Sequence, residues 1–164
     1  VGGKVMWNAD NYQTGSMVVQ NWTDSSSSSW RLFDQKMQSI GGKEKVKAIM
    51  VQICVFSSRA TDDEVKSMIS SARAHTSPGT HIYLVGQPQY EPGHECTLAG
   101  NGGAKWTDDE AKKIAADSGV NQDLTYLGTF KLDSTKSEVS SDSCHASTSG
   151  EDVLGKQAIA FVGG

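Results

Sequence analysis

At 164 residues, 37% hydrophobic and 21% charged, the chain has the size and composition of one ordinary globular domain with a two- or three-layer core. Its formal net charge of −4, with no basic cluster denser than Lys43-Glu44-Lys45-Val46-Lys47, gives no electrostatic footprint for nucleic acid or an anionic membrane. No apolar run approaches the roughly 18 residues of a membrane span, and no signal-peptide pattern opens the sequence, so export implies a leader already removed.

In chain order, Lys4-Val-Met-Trp-Asn8 reads as a short strand. Asn21-Trp22-Thr23 is a glycosylation acceptor if the chain is eukaryotic and exported. The serine tract Ser25 to Ser29 reads as a flexible entry to a helix, on which Trp30, Phe33, Met37 and Ile40 recur at helical spacing before a Gly41-Gly42 stop. Val46 to Val55 is apolar nearly throughout and predicts a central strand covered on both faces. Thr61-Asp62-Asp63-Glu64 is a capping box, opening a helix with Val65, Met68, Ile69 and Ala72 on one face. His81 to Val85 predicts a third strand, and Gln87 to Gly103 a long Pro/Gly-containing loop of the functional or stapled kind. Thr107-Asp108-Asp109-Glu110 repeats the capping box and predicts a second helix start. Leu124 to Leu132 reads as the fourth strand, and Ser149-Gly-Glu-Asp152 caps a last helix through Val153, Leu154, Ala158 and Phe161. Strands alternating with helices predict a three-layer α/β/α sandwich on a mainly parallel sheet, formed by residues 1–164 as a single domain.

Three cysteines form an odd set. Cys54, within an apolar run, reads as a buried thiol. Cys96 and Cys144 stand in polar loops, where a secreted enzyme places a disulfide, and that pairing is favoured. The competing reading is zinc held by His94, Cys96, Cys144 and His145, although the spacing lacks a Cys-x-x-Cys or His-x-x-x-His unit.

The most informative residues are Asp142-Ser143-Cys144-His145. A carboxylate three positions before a histidine can fold back through a tight turn and accept the imidazole Nδ1–H. Nε2 is then left to take a proton from a nucleophile. This is the orienting and basic half of a hydrolytic triad.

Asp-x-x-His near the C-terminus, followed by Ser147, Gly150 and a terminal helix, resembles the fifth sequence block of the SGNH (GDSL-like) hydrolases, whose fold is flavodoxin-like. Asn11-Tyr-Gln-Thr-Gly15, with Trp22 following, is similar to the second block of the carbohydrate-esterase branch. The resemblance implies His145 as general base, Asp142 as its partner and Gly15 as an oxyanion donor through its amide. It also implies a serine nucleophile, no metal or organic cofactor, and a small ester or acylated carbohydrate as substrate. Two blocks depart from the pattern. The third-block asparagine is absent from Cys54-Val55-Phe56-Ser57-Ser58, leaving Ser57 or Gln52 as substitutes. The first-block Gly-Asp-Ser is absent altogether; forcing it onto Ala9-Asp10-Asn11 puts asparagine where serine belongs. The spacing from Gly15 to Val46 admits one helix, which favours the second-block alignment. The expectation is a chain that starts after the first strand and the nucleophile, completed by an N-terminal peptide or segment of βα size. Ser16 is the in-chain candidate. The resemblance implies a secreted ester hydrolase; the alternatives are a non-catalytic carbohydrate-binding or structural module on the same fold, and a redox or metal protein built on Cys96, Cys144 and His145.

Overall fold

A computed structural model describes residues 18–91, 96–117, 119–120 and 122–163. The strand expected at Lys4 to Asn8 lies outside them. After a 3-10 turn at Val19–Trp22, the described elements are α1 Ser28–Ser39, β1 Ala48–Gln52, α2 Asp62–His75, β2 His81–Val85 and β3 Gln89–Glu91. They continue with α3 Gly103–Ala116, β4 Leu124–Tyr126, β5 Lys131–Asp133 and α4 Thr148–Gly163.

The protein is α/β with a parallel sheet. One sheet has the order β1-β2-β4, and a smaller one pairs β3 with β5; all three ladders among these described strands are parallel. Successive β2 residues point to opposite faces, and the two apolar clusters follow that alternation. Ile82 and Leu84 belong to the larger cluster with Trp30, Val65, Met68, Ile69, Ala72, Ala111 and Ile114, from α1, α2 and α3. Val85, of the other parity, packs with Phe130 and with Ala158 and Leu154 of α4. Helices therefore lie on both sides of the sheet, as a three-layer arrangement requires.

α2 begins where its sequence says. The Thr61 hydroxyl accepts the Glu64 N–H and the Glu64 carboxylate accepts the Thr61 N–H at 2.7 Å, so two otherwise orphaned donors are satisfied. Val65, Met68 and Ile69 are fully buried, each side chain contributing about 1.5–3 kcal/mol.

The last helix starts at Thr148 with Ser147, not Ser149, as its cap, since the Ser147 hydroxyl accepts the Gly150 N–H at 3.1 Å. Four larger expectations need correction. First, the strand at 46–55 is not central among the described strands: the ladder runs Ala48–Gln52 at an edge, and β2 lies between β1 and β4. The Ala48, Met50 and Gln52 side chains are exposed, because α4 covers the sheet only near Val85. Second, the loop at 87–103 contains β3, whose register pairs Tyr90 with Leu132. Third, the 124–132 strand is two strands. The chain breaks at Gly128, where φ is 154° and any Cβ would come within 2.8 Å of the Phe161 ring. Fourth, Thr107-Asp108-Asp109-Glu110 is no cap. α3 starts four residues earlier, at Gly103, and Thr107, Asp108 and Glu110 are buried inside it.

The burial of Asp108 has a structural reason. Its carboxylate accepts from Tyr126 (2.6 Å), Thr129 (2.9 Å), Lys112 (2.7 Å) and Gln89 (3.3 Å), joining α3 to β3 and to the segment after β4. Burial pushes this carboxyl up, but the bonds from Lys112, Tyr126 and Thr129 outweigh it and hold the group below the ordinary range. Gly86 permits the close approach of α3 to the end of β2: a Cβ there would lie 2.5 Å from the Asp108 amide nitrogen.

Candidate active site

Asp142 to His145 forms the tip of a hairpin. Val139 and Ala146 make an antiparallel bridge, the Ser140 N–H donates to the His145 carbonyl at 2.8 Å, and the Ser147 N–H donates to Glu138 at 2.9 Å. Ser143 takes the left-handed conformation, φ 59°, that the turn requires. The turn brings the Asp142 carboxylate back over its own chain. Oδ1 accepts the Cys144 and His145 N–H groups, both at 2.9 Å, and the Ser140 hydroxyl. Oδ2 meets His145 Nδ1 at 2.5 Å. The His145 amide, then the Ser140 hydroxyl, the imidazole and the Cys144 amide hold the Asp142 carboxyl well below the usual aspartate range. An acceptor on Nδ1 selects the tautomer with its lone pair on Nε2.

The His145 side chain is 60% exposed, and among the described residues no hydroxyl bonds to Nε2. Sequence reasoning placed both members of the pair, and the structure brings them together. Gly15 and Ser16 lie outside the described residues, as do Asp10 and Asn11. Gln52 is committed elsewhere, since its amide donates to the Gly86 carbonyl at 3.3 Å. Ser57 is exposed and backs onto Gly100.

The hairpin is fastened to loops leaving the carboxyl ends of the parallel strands. Cys144 is joined to Cys96 by a disulfide, as favoured from the sequence, so neither sulfur is a thiolate for the zinc alternative; His94 lies outside the described residues. The Cys144 carbonyl also accepts the Tyr90 hydroxyl. Beyond Cys96, Arg59 from the loop after β1 donates to the Asn101 carbonyl at 2.8 Å and to Gly102 at 3.4 Å. The Val19 N–H reaches the Cys54 carbonyl at 2.9 Å, just past β1. Open α/β sheets bind their ligands at this end.

Tyr90 was not singled out by the sequence, because it acts from a strand hidden in an apparent loop. Burial, then the Asp142 charge and Cys54, pushes its hydroxyl up to about 12, so it stays a donor. Cys54 is a free, partly buried thiol with the Gln87 amide 3.6 Å away, and burial pushes it up as well. The three described tryptophans pack with the core: Trp30 is buried, Trp22 lies edge-on to it with ring centroids 4.8 Å apart, and Trp106 packs against the same cluster. Among the described residues no helix is long and apolar enough to cross a membrane.

A second Asp–His pair was missed because its members are far apart in sequence. Asp34 of α1 holds His75 Nδ1 at 2.9 and 3.0 Å, and Nε2 faces the Ser25 carbonyl at 2.8 Å. The ring stacks on Trp30 with centroids 4.9 Å apart.

No family model, no curated protein and no solved structure matches the chain.

Proposed function

We propose that the protein is an ester hydrolase of the SGNH type, acting on an acylated carbohydrate or another small ester in an extracellular setting. The observation that carries this reading is the Asp142–His145 pair, closed at 2.5 Å through Nδ1, with no partner on Nε2 among the described residues, on a hairpin fastened to Cys96 and Tyr90. The nucleophile is a serine outside the described residues. Its hydroxyl oxygen bonds to the ester carbonyl carbon while His145 Nε2 takes the hydroxyl proton, and Asp142 stabilises the imidazolium. The Gly15 N–H helps hold the oxyanion. Collapse of the tetrahedral intermediate breaks the bond to the alcohol, which leaves with the proton from Nε2. Water, deprotonated by the same nitrogen, then releases the carboxylic acid and restores the serine. No metal enters these steps.

The second reading is a non-catalytic carbohydrate-binding or structural module, favoured by the lack of any hydroxyl on Nε2 among the described residues. Fluorophosphonate labelling followed by peptide mapping separates the two. A labelled serine together with p-nitrophenyl acetate turnover supports the hydrolase; no label and no turnover establishes the module.

A further inference from the structure

Three contacts converge on Cys144, the residue just ahead of His145. Its sulfur is bonded to Cys96, its N–H donates to Asp142 Oδ1 at 2.9 Å, and its carbonyl accepts the Tyr90 hydroxyl. The third contact is the consequential one. The Cys144 carbonyl and the His145 N–H belong to one planar peptide unit, so a donor that fixes the carbonyl on one side fixes the N–H on the other. That N–H donates to Asp142 Oδ1 at 2.9 Å, while the opposite oxygen of the same carboxylate holds Nδ1. A continuous chain thus runs from the Tyr90 O–H through the peptide plane and the carboxylate to the imidazole, and each bond polarises the next.

Tyr90 suits this work because its strand is anchored by contacts outside the exposed hairpin. Its strand β3 is laddered to β5, where Leu132 opposite it is 1% exposed, and the neighbouring Gln89 N–H donates to the Phe130 carbonyl at 2.9 Å. The Gln89 side chain reaches Asp108, which is anchored in α3 with its side chain 3% exposed. The hairpin tip is solvated; the tyrosine steadying it stands on the packed part of the molecule.

We infer that Tyr90 is a positioning residue: by holding the Cys144–His145 peptide plane it keeps the imidazole in register with Asp142. Its catalytic consequence rests on the hydrolase reading, whereas its geometric consequence does not.

Tyr90→Phe in the full chain removes one oxygen and keeps the ring, with an unchanged far-ultraviolet dichroism spectrum and cooperative thermal unfolding confirming the fold. Amide hydrogen exchange at His145 is expected to accelerate roughly fivefold, the loss of one ordinary hydrogen bond. The His145 Nδ1 proton resonance is expected to shift or broaden. In active protein, kcat for p-nitrophenyl acetate should fall about tenfold at constant KM, the pattern of a misaligned base. Tyr83→Phe, a half-buried ring of β2 beside His81, should move none of these. Unaltered exchange and an unaltered Nδ1 resonance in Tyr90→Phe would overturn the inference. A changed resonance in protein that never turns over ester would uphold the positioning role and remove the hydrolase reading instead.

Discussion

Among the described residues two Asp–His pairs form, and they differ in what remains of the ring after the carboxylate is bound. In Asp34–His75 both nitrogens face acceptors, a carboxylate and the Ser25 carbonyl, while the ring face is stacked on Trp30. Both nitrogens are thus taken up by oxygens of the protein itself, which leaves neither of them available to a substrate. In Asp142–His145 the ring stands 60% exposed and, among the described residues, Asp142 is its one hydrogen-bond partner, with none on Nε2. The same pair of side chains serves as a strut between α1 and α2 in one place and as a candidate base in the other. What distinguishes them is unused hydrogen-bonding capacity, which is a property of the surroundings.

Substitution at the two histidines should break the comparison apart most clearly. His145→Ala is expected to lower ester turnover by about a thousandfold or more while leaving the thermal midpoint unchanged, since an exposed ring contributes little to packing. Steady-state kinetics beside calorimetry checks both halves, and unchanged turnover would take His145 out of the mechanism. Removing the disulfide through Cys96→Ser with Cys144→Ser should cost about 2–4 kcal/mol in denaturant unfolding, for a sequence separation of 48 residues. His75→Ala should cost about 2 kcal/mol by the same measurement, as the strut is lost, with kcat and KM as in the parent. If His75→Ala abolished turnover without destabilising the protein, the roles assigned to the two pairs would be reversed.

The smallest effect is one of pH. The Asp142 carboxyl lies below its unfolded value, so its contribution is present above that value and is lost as pH falls through the depressed folded one. A carbon-detected titration of the Asp142 side chain should give a midpoint below the ordinary aspartate value of about 3.9. A midpoint at or above that value would show that the carboxylate is not held by the amides and the ring in solution.

Local signals in the sequence were enough where the physics is local. The Thr61 box, the helical spacing of Trp30 and Phe33, the run from His81 to Val85 and the turn from Asp142 to His145 all depend on residues a few positions apart. The Cys96–Cys144 disulfide is legible in the sequence because both cysteines stand in polar loops. The failures share a different cause. Thr107 and Asp108 look like a helix cap because polar residues are common there; instead the Thr107 hydroxyl accepts the Gln87 N–H and the Asp108 carboxylate gathers groups from three other segments. β3 is three residues long and exists only through its ladder with β5, and Asp34 meets His75 only once α1 and α2 have packed. The edge position of β1 was hidden for a related reason: an apolar run reports how sticky a strand is, not what lies next to it.

The approach of α3 to Gly86 bears on ancestry. With only 2.5 Å between a would-be methyl group and the Asp108 nitrogen, no other residue fits at that position without displacing the helix. Any descendant of the same ancestor that retains this packing must retain glycine directly after its second strand and, to satisfy the tyrosine and threonine facing it, an acid in the helix that follows. Kinship too distant for overall similarity to register would still leave that pairing as a fingerprint.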